Sequence, residues 1–276
     1  MATLAIISMS LVVGLYFALS SGGSPLDKYI GLPVTSADMA SISRLSNAAY
    51  GPSGASLLVT SGQNQNFRNA TGQPYVSGGK PIVVYIGADF CPYCATERWS
   101  LVLSLSRFGN FSNLHYMTSA SNEGDYATFT FTGSSYSSKW VVFQPFEQED
   151  RNHAQLTTVP SNYSAEFTNS YPFVNFGNRY LLQTLIPDTS IIAGKNWTQI
   201  LSSISASDST GSVLKEGANA ITAVVCRLTN NLPSNVCNQS SVVSSAIGLA
   251  APYGASGPVM AVRASAPNTF WPGRER

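Results

Sequence analysis

The chain has 276 residues, with 15 Lys and Arg against 14 Asp and Glu, a net charge of +1, and only 11% charged residues, where an average soluble protein has roughly 25%. Sparse, balanced charge excludes a nucleic-acid binder, which needs clustered cations to neutralise phosphates, and 44% apolar with 11% aromatic residues excludes charge-driven disorder. Uncharged polarity takes the place of charge, with about 40 Ser, and the length suffices for one large domain or two small ones.

The first charged residues are Asp27 and Lys28. Before them Leu4–Leu19 is an apolar, helix-compatible run that breaks at Ser20-Ser21-Gly22-Gly23-Ser24-Pro25. A membrane span needs about 17–25 residues. Residues 1–25 therefore read as one transmembrane anchor, or as a signal segment with Ala18-Leu19-Ser20 as a small-residue cleavage site. A buried helix of a soluble domain is the alternative. No basic residue precedes the run, so positive-inside counting gives no orientation. The stretch Val242–Val262 is broken by Pro252, Gly254, Gly257 and Pro258. The expected location is membrane-anchored or secreted, with everything after about residue 25 extracytoplasmic. Two features agree. Asn-X-Ser/Thr acceptors occur at Asn69, Asn110, Asn162, Asn196 and Asn238. The four cysteines are even in number, as an oxidising compartment prefers. Low charge itself fits an acidic or otherwise harsh exterior, where carboxylates protonate and lose their value as ions.

Residues 26–80 form an N-terminal extension rich in Gly, Ser, Asn and Pro, with a helical pattern near Ala37–Ala49. Ile82-Val83-Val84-Tyr85-Ile86-Gly87 is an unbroken apolar run suited to a strand buried on both faces. After Ala88-Asp89-Phe90 comes Cys91-Pro92-Tyr93-Cys94. A helix then runs towards Phe108, with Ala95, Trp99, Val102, Leu103 and Phe108 near one face and Gly109 as its stop. Strands follow at Leu114–Thr118, Tyr126–Phe131 and Trp140–Phe143, and the polar residues 146–170 are expected to include a helix. Tyr171-Pro172 introduces a strand at Phe173–Phe176, a turn at Gly177-Asn178 and a partner strand at Arg179–Leu182. Helices are expected over Asn196–Ile204 and Val213–Leu228, and residues 241–276 read as a loosely structured tail.

Strand, short turn, Cys-X-X-Cys, helix is an arrangement with a mechanism. The first cysteine sits where unpaired backbone N–H groups and the helix dipole favour an anion. That lowers the thiol pKa, and the thiolate is the attacking species. Cys91 is thus the expected nucleophile and Cys94 the resolving thiol. Pro92 suits the first helical turn, where a missing N–H is no loss. A zinc site is the bland rival, but Cys226 and Cys237 lie far along the chain and do not form a second close pair. They are expected as a structural disulfide, a second shuttle pair being the sharper alternative. His115 and His153 read as ordinary structural or solvated residues. Trp99 reads as core, and Glu97 and Arg98 as a solvated face or local ion pair, with tuning of Cys91 or partner docking as the functional option. No metal or cofactor is expected.

The segment from Gly87 through Cys91-Pro92-Tyr93-Cys94 to Glu97-Arg98-Trp99 and Leu105–Phe111, with Tyr136–Lys139 and Tyr171-Pro172-Phe173, resembles an uncharacterised microbial thioredoxin-like family (domain of unknown function, family 929). The resemblance implies an α/β, thioredoxin-like domain over 81–240, a central mixed sheet flanked by helices, with an insertion at about 126–159 and an N-terminal apolar helix. In such a fold a cis-proline opens the strand beside the cysteine pair. Pro172 is the candidate and Pro160 the rival, since a cis X–Pro bond costs only about 0.5–1 kcal/mol. Pro92, Tyr93, Tyr171 and Pro172 are the expected substrate contacts. Expected partners are protein thiols and disulfides, a membrane redox protein, and the membrane through the N-terminal segment. The expected activity is extracytoplasmic thiol–disulfide exchange. A non-catalytic scaffold with a static Cys91–Cys94 disulfide, or a metal-binding module, is the alternative.

Overall fold

The computed structural model describes residues 24–48, 67–184, 186, 188–246 and 249. Most of the expected anchor or signal segment, and most of the expected tail, lie outside the described residues. Among the described residues no helix is long and apolar enough to cross a membrane.

In chain order the helices are α1 (Ser36–Asn47), α2 (Pro92–Leu105), α3 (Trp197–Ala206), α4 (Ser209–Leu228), α5 (Ser234–Cys237) and α6 (Ser240–Ala246). The strands are β1 (Phe67–Asn69), β2 (Val76–Ser77), β3 (Lys80–Gly87), β4 (Gly109–Ser112), β5 (His115–Thr118), β6 (Ala127–Thr130), β7 (Ser135–Ser138), β8 (Val142–Glu147), β9 (Phe173–Phe176) and β10 (Tyr180–Leu182). Six of them form a central mixed sheet flanked by helices.

β3 is the axis of that sheet. It pairs parallel with β8, from Ile82↔Val142 to Gly87↔Glu147, and antiparallel with β9, from Val83↔Phe176 to Ile86↔Phe173. β9 turns back into β10 through Gly177 (φ 63) and Asn178 (φ 52), a turn that needs positive φ at both central residues. β10 pairs in turn with β1. Alternation along β3 serves two cores. Val83 and Tyr85 pack with the helices, while Ile82, Val84 and Ile86 pack under Tyr163, Phe167 and Tyr171. Within 126–159, expected as an insertion, Val142–Glu147 is thus a strand of the central sheet. The extension over 26–80 likewise supplies β1 and β2 to the sheet.

Four expectations differ. α2 ends at Leu105, and Gly109 opens β4 instead of capping a helix. A Cβ at Gly109 would lie 2.2 Å from the Ser137 carbonyl oxygen, so the close approach of β4 to β7 selects glycine there. α2 is also buried all round from Cys94 to Leu105, not along one face, because the sheet, α4 and β6 enclose it. Residues 148–170 form turns and a bridge rather than a helix. The Asp150 carboxylate accepts the backbone N–H groups of Asn152 and Ala154, an alternative to helical pairing. The tail begins with a helix, α6, whose Val242 is buried in the main core.

Trp99 anchors α2. It is fully buried, its indole N–H donates to the Ala127 carbonyl at 2.9 Å, and its ring meets Phe129 at 4.5 Å between centroids. Trp99→Ala is expected to lower the unfolding free energy by about 3–5 kcal/mol in urea titration. A loss under about 1 kcal/mol would mean that the site collapses and refills.

Candidate functional site

β3 delivers the chain to the site and α2 carries it away. After Gly87 the backbone is held by Gln148 N–H on the Gly87 carbonyl (2.8 Å) and Asp89 N–H on the Glu149 carbonyl (2.9 Å). Cys91 is the N-cap of α2, in extended conformation (φ −73, ψ 123), and Pro92 takes the first helical turn. The Cys91 Sγ accepts the Cys94 backbone N–H at 3.1 Å. The orphan donor of a helix start is here satisfied by sulfur. Both thiols are free; Cys91 is 4% exposed and Cys94 fully buried.

The expected site residues fall into two places. Tyr171 packs against Ala88, Cys91 and Cys94 and meets the Phe90 ring edge-on at 6.1 Å. The Tyr171–Pro172 peptide is cis, and Pro172 is buried just before Phe173, which pairs with Ile86. Tyr93 is 44% exposed on the first turn of α2. Cys226 and Cys237 are elsewhere. They form a disulfide with Cα atoms 5.6 Å apart, joining the end of α4 to α5 inside the main core. Bonded to each other, they offer no thiolate to a metal. Among the described residues no group of three His, Cys, Asp or Glu is placed to hold a metal ion. His153 stands beside the site, exposed, its ring tilted against Phe90 at 4.0 Å between centroids and 3.6 Å from the Glu149 carboxylate.

Arg98 is where the solvated-face expectation fails. It is fully buried one turn beyond Cys94, on the cysteine side of α2. Its Nε and Nη2 donate to Glu147 Oε1 and Oε2 at 2.9 and 2.7 Å, a forked ion pair. Nη2 also donates to the Ala88 carbonyl (2.8 Å) and to Asp89 Oδ1 (3.3 Å). The guanidinium lies 5.8 Å from the Tyr85 ring centroid. Asp89, Glu147 and Tyr85 were not singled out in the sequence, although a charge closing an apolar strand is the signal for the first two.

The electrostatics separate the two thiols. Cys91 is pulled below its ordinary 9.0, chiefly by the Cys94 thiol hydrogen bond, then by the Cys94 backbone N–H and the Arg98 cation. Burial pushes Cys94 well above that value, and the hydrogen bond and charge of Cys91 push it further. Asp89 rises from 3.8 to about 7, by burial first and then by Glu147, against Arg98. The ion pair to Asp89 does not reverse this, because the guanidinium is already forked onto Glu147 and reaches Asp89 by one longer bond.

Residues 66–168 match the family model of a domain of unknown function (DUF929). The match covers less than half of the chain. It includes the cysteine pair, Asp89, Arg98 and Glu147, and stops short of Tyr171-Pro172. No match was found among curated proteins or among solved structures.

The raised Asp89 gives a pH signature. Its folded-state value lies above its ordinary 3.8, so the folded protein holds this proton more tightly. That stability is whole below pH 3.8 and is lost as pH rises to about 7. Asp89→Asn keeps the neutral form at every pH. Relative to the parent, it is expected to gain unfolding free energy across that window and to level off above it. Denaturant titrations over the window check this, and a pH-independent difference would refute it.

Proposed function

We propose that the protein is an extracytoplasmic thiol–disulfide oxidoreductase of thioredoxin-like fold, with Cys91 as nucleophile and Cys94 as resolving thiol. One observation carries the reading: Cys91 Sγ sits at a helix start, accepts a backbone N–H, and is favoured as thiolate beside a buried, protonated Cys94. The sheet supports it. The parallel strand β8, the strand β3 that leads to the cysteines, antiparallel β9 opened by Pro172, and its hairpin partner β10 follow the order expected of a thioredoxin-like domain. The Cys226–Cys237 disulfide suits an oxidising compartment.

The Cys91 thiolate attacks a substrate disulfide. A bond forms between Cys91 Sγ and one substrate sulfur, and the other substrate sulfur leaves as thiolate and takes a proton from water. Consuming the Cys91 charge removes two of the causes that hold Cys94 protonated. Cys94 then gives its proton to water and attacks Cys91 Sγ. The mixed disulfide breaks, the second substrate thiolate leaves, and the Cys91–Cys94 disulfide forms. Two electrons have passed to the substrate, and the reverse sequence oxidises a substrate dithiol. Exposed Tyr93 and half-buried Tyr171 flank the pair as substrate contacts. A thiol or disulfide partner, at the membrane if the N-terminal segment anchors the chain, resets it.

The burial of Cys91 favours a second reading, a scaffold with a static Cys91–Cys94 disulfide. A reduction potential well below about −300 mV, with thiols that resist alkylation, would select it. On the first reading, Cys91→Ser abolishes insulin-reductase or dithiol-oxidase turnover, and Cys94→Ser accumulates a mixed disulfide visible on non-reducing gels. Full turnover by Cys91→Ser would overturn it.

A further inference from the structure

Three ionisable side chains are buried directly behind the cysteine pair, and the exchange chemistry alone assigns none of them a part. Arg98 is fully buried, and Asp89 and Glu147 are each 2% exposed. They come from three places: α2, the Ala88–Phe90 turn and the last residue of β8. A structural role would be met by the Arg98–Glu147 fork alone. Two further facts point towards the thiols. Arg98 Nη2 also donates to the Ala88 carbonyl at 2.8 Å, and that carbonyl accepts the Cys91 backbone N–H at 3.3 Å. The third guanidinium nitrogen, Nη1, is buried with no hydrogen-bond partner among the described residues.

We infer that Arg98 is a positioning residue for the dithiol: it fixes the Ala88–Cys91 turn and sets a buried cation behind Cys91 that favours the thiolate, while Glu147 and Asp89 set how much of that charge the thiol feels. The inference rests on the exchange reading above and names the group that tunes it. The groups facing the guanidinium are Glu147 from β8, Asp89 from the turn, Tyr85 from β3, Cys94 from α2 and its N-cap Cys91. Asp150 adds a weaker charge towards Asp89. With Asp89 protonated, one cation faces one anion. With Asp89 ionised, the cluster is net negative and the Cys91 thiolate loses ground. Arg98 and Asp89 therefore act on Cys91 in opposite directions.

The test reads Cys91 alkylation by iodoacetamide against pH in the reduced full-length protein, alongside circular dichroism. Arg98→Met is expected to slow alkylation at mildly acidic pH by roughly tenfold, the effect of one pKa unit on a small thiolate fraction. Arg98→Lys, which keeps the charge and loses the fork, falls between. Asp89→Asn is expected to speed alkylation on the alkaline side of neutrality, where the parent carries the second carboxylate. A purely structural role would slow both variants or move neither. If Arg98→Met does not fold, Arg98→Lys and Asp89→Asn decide: parental rates in both, or slowing by Asp89→Asn, overturn the inference. Insulin reduction by the unmodified protein is measured in parallel. Its absence defeats the exchange reading, whereas its presence with unmoved alkylation defeats only the role of Arg98.

Discussion

A guanidinium taken out of water costs several kcal/mol unless its charge and N–H groups find partners. Arg98 meets most of that demand through Nε and Nη2, with residues from distant stretches of chain, and this couples three elements. Glu147 is 49 positions away in sequence and ends β8, opposite Gly87 at the end of β3. A slip of one residue between β8 and β3 would turn Glu147 to the other face of the sheet. Arg98 would then lose its forked partner and, among carboxylates, keep only the longer bond to Asp89. The pair thus locks the parallel register at the end of the sheet where the chain turns towards Cys91. The Ala88 carbonyl, held by the same side chain, passes that constraint to the helix start.

The elements set by local pattern were legible. The apolar run of β3, the hairpin at Gly177-Asn178 and the helix starting at the cysteine pair all follow from short-range rules. The elements set by long-range pairing were not. Val142–Glu147 contains Gln144 and Pro145 and reads poorly as a central strand, yet it lies against β3 over its full length. Pro145 fits because β8 pairs with β3 on one side only in the central sheet. Residues 148–170 are polar overall, but Tyr163 and Phe167 cover the second face of the sheet, a job their spacing does not announce. At the site, the two thiols could be assigned from the motif, whereas the charge cluster could not. Arg98 four positions after Cys94 and seven after Cys91 marks the right helix face, but only the fold shows that this face is dry.

That dryness bears on the low charge of the chain. Asp89, Glu97, Arg98, Arg107 and Glu147 are all buried, so an already sparse set of ions is sparser still at the surface. Arg107 shows neutral oxygens serving a buried cation. It donates to the Ser46 carbonyl, Thr222 Oγ1 and Asn219 Oδ1, joining the turn after α2 to α1 and α4. Neutral acceptors keep their hydrogen bonds when carboxylates protonate, so these three bonds are insensitive to acid. Asp89, holding its proton up to about pH 7, behaves in the same sense.

On the proposed chemistry, the same cluster bears on the direction of electron flow. Only the reduced form of a dithiol–disulfide couple carries a thiolate, so whatever stabilises the thiolate favours the reduced form and raises the potential. Cys91 gains from the Cys94 thiol, two backbone N–H groups and Arg98, and loses by burial. The carboxylates of Glu147 and Asp89 offset part of the cation. Because Asp89 ionises near neutrality, that offset itself changes with pH, on top of the protons the sulfurs bind. The Cys-Pro-Tyr-Cys motif therefore does not by itself set the poise of the pair. On this reading the balance struck behind it by one cation and two carboxylates adds to the Cys94 thiol and the backbone N–H groups that act on Cys91 directly.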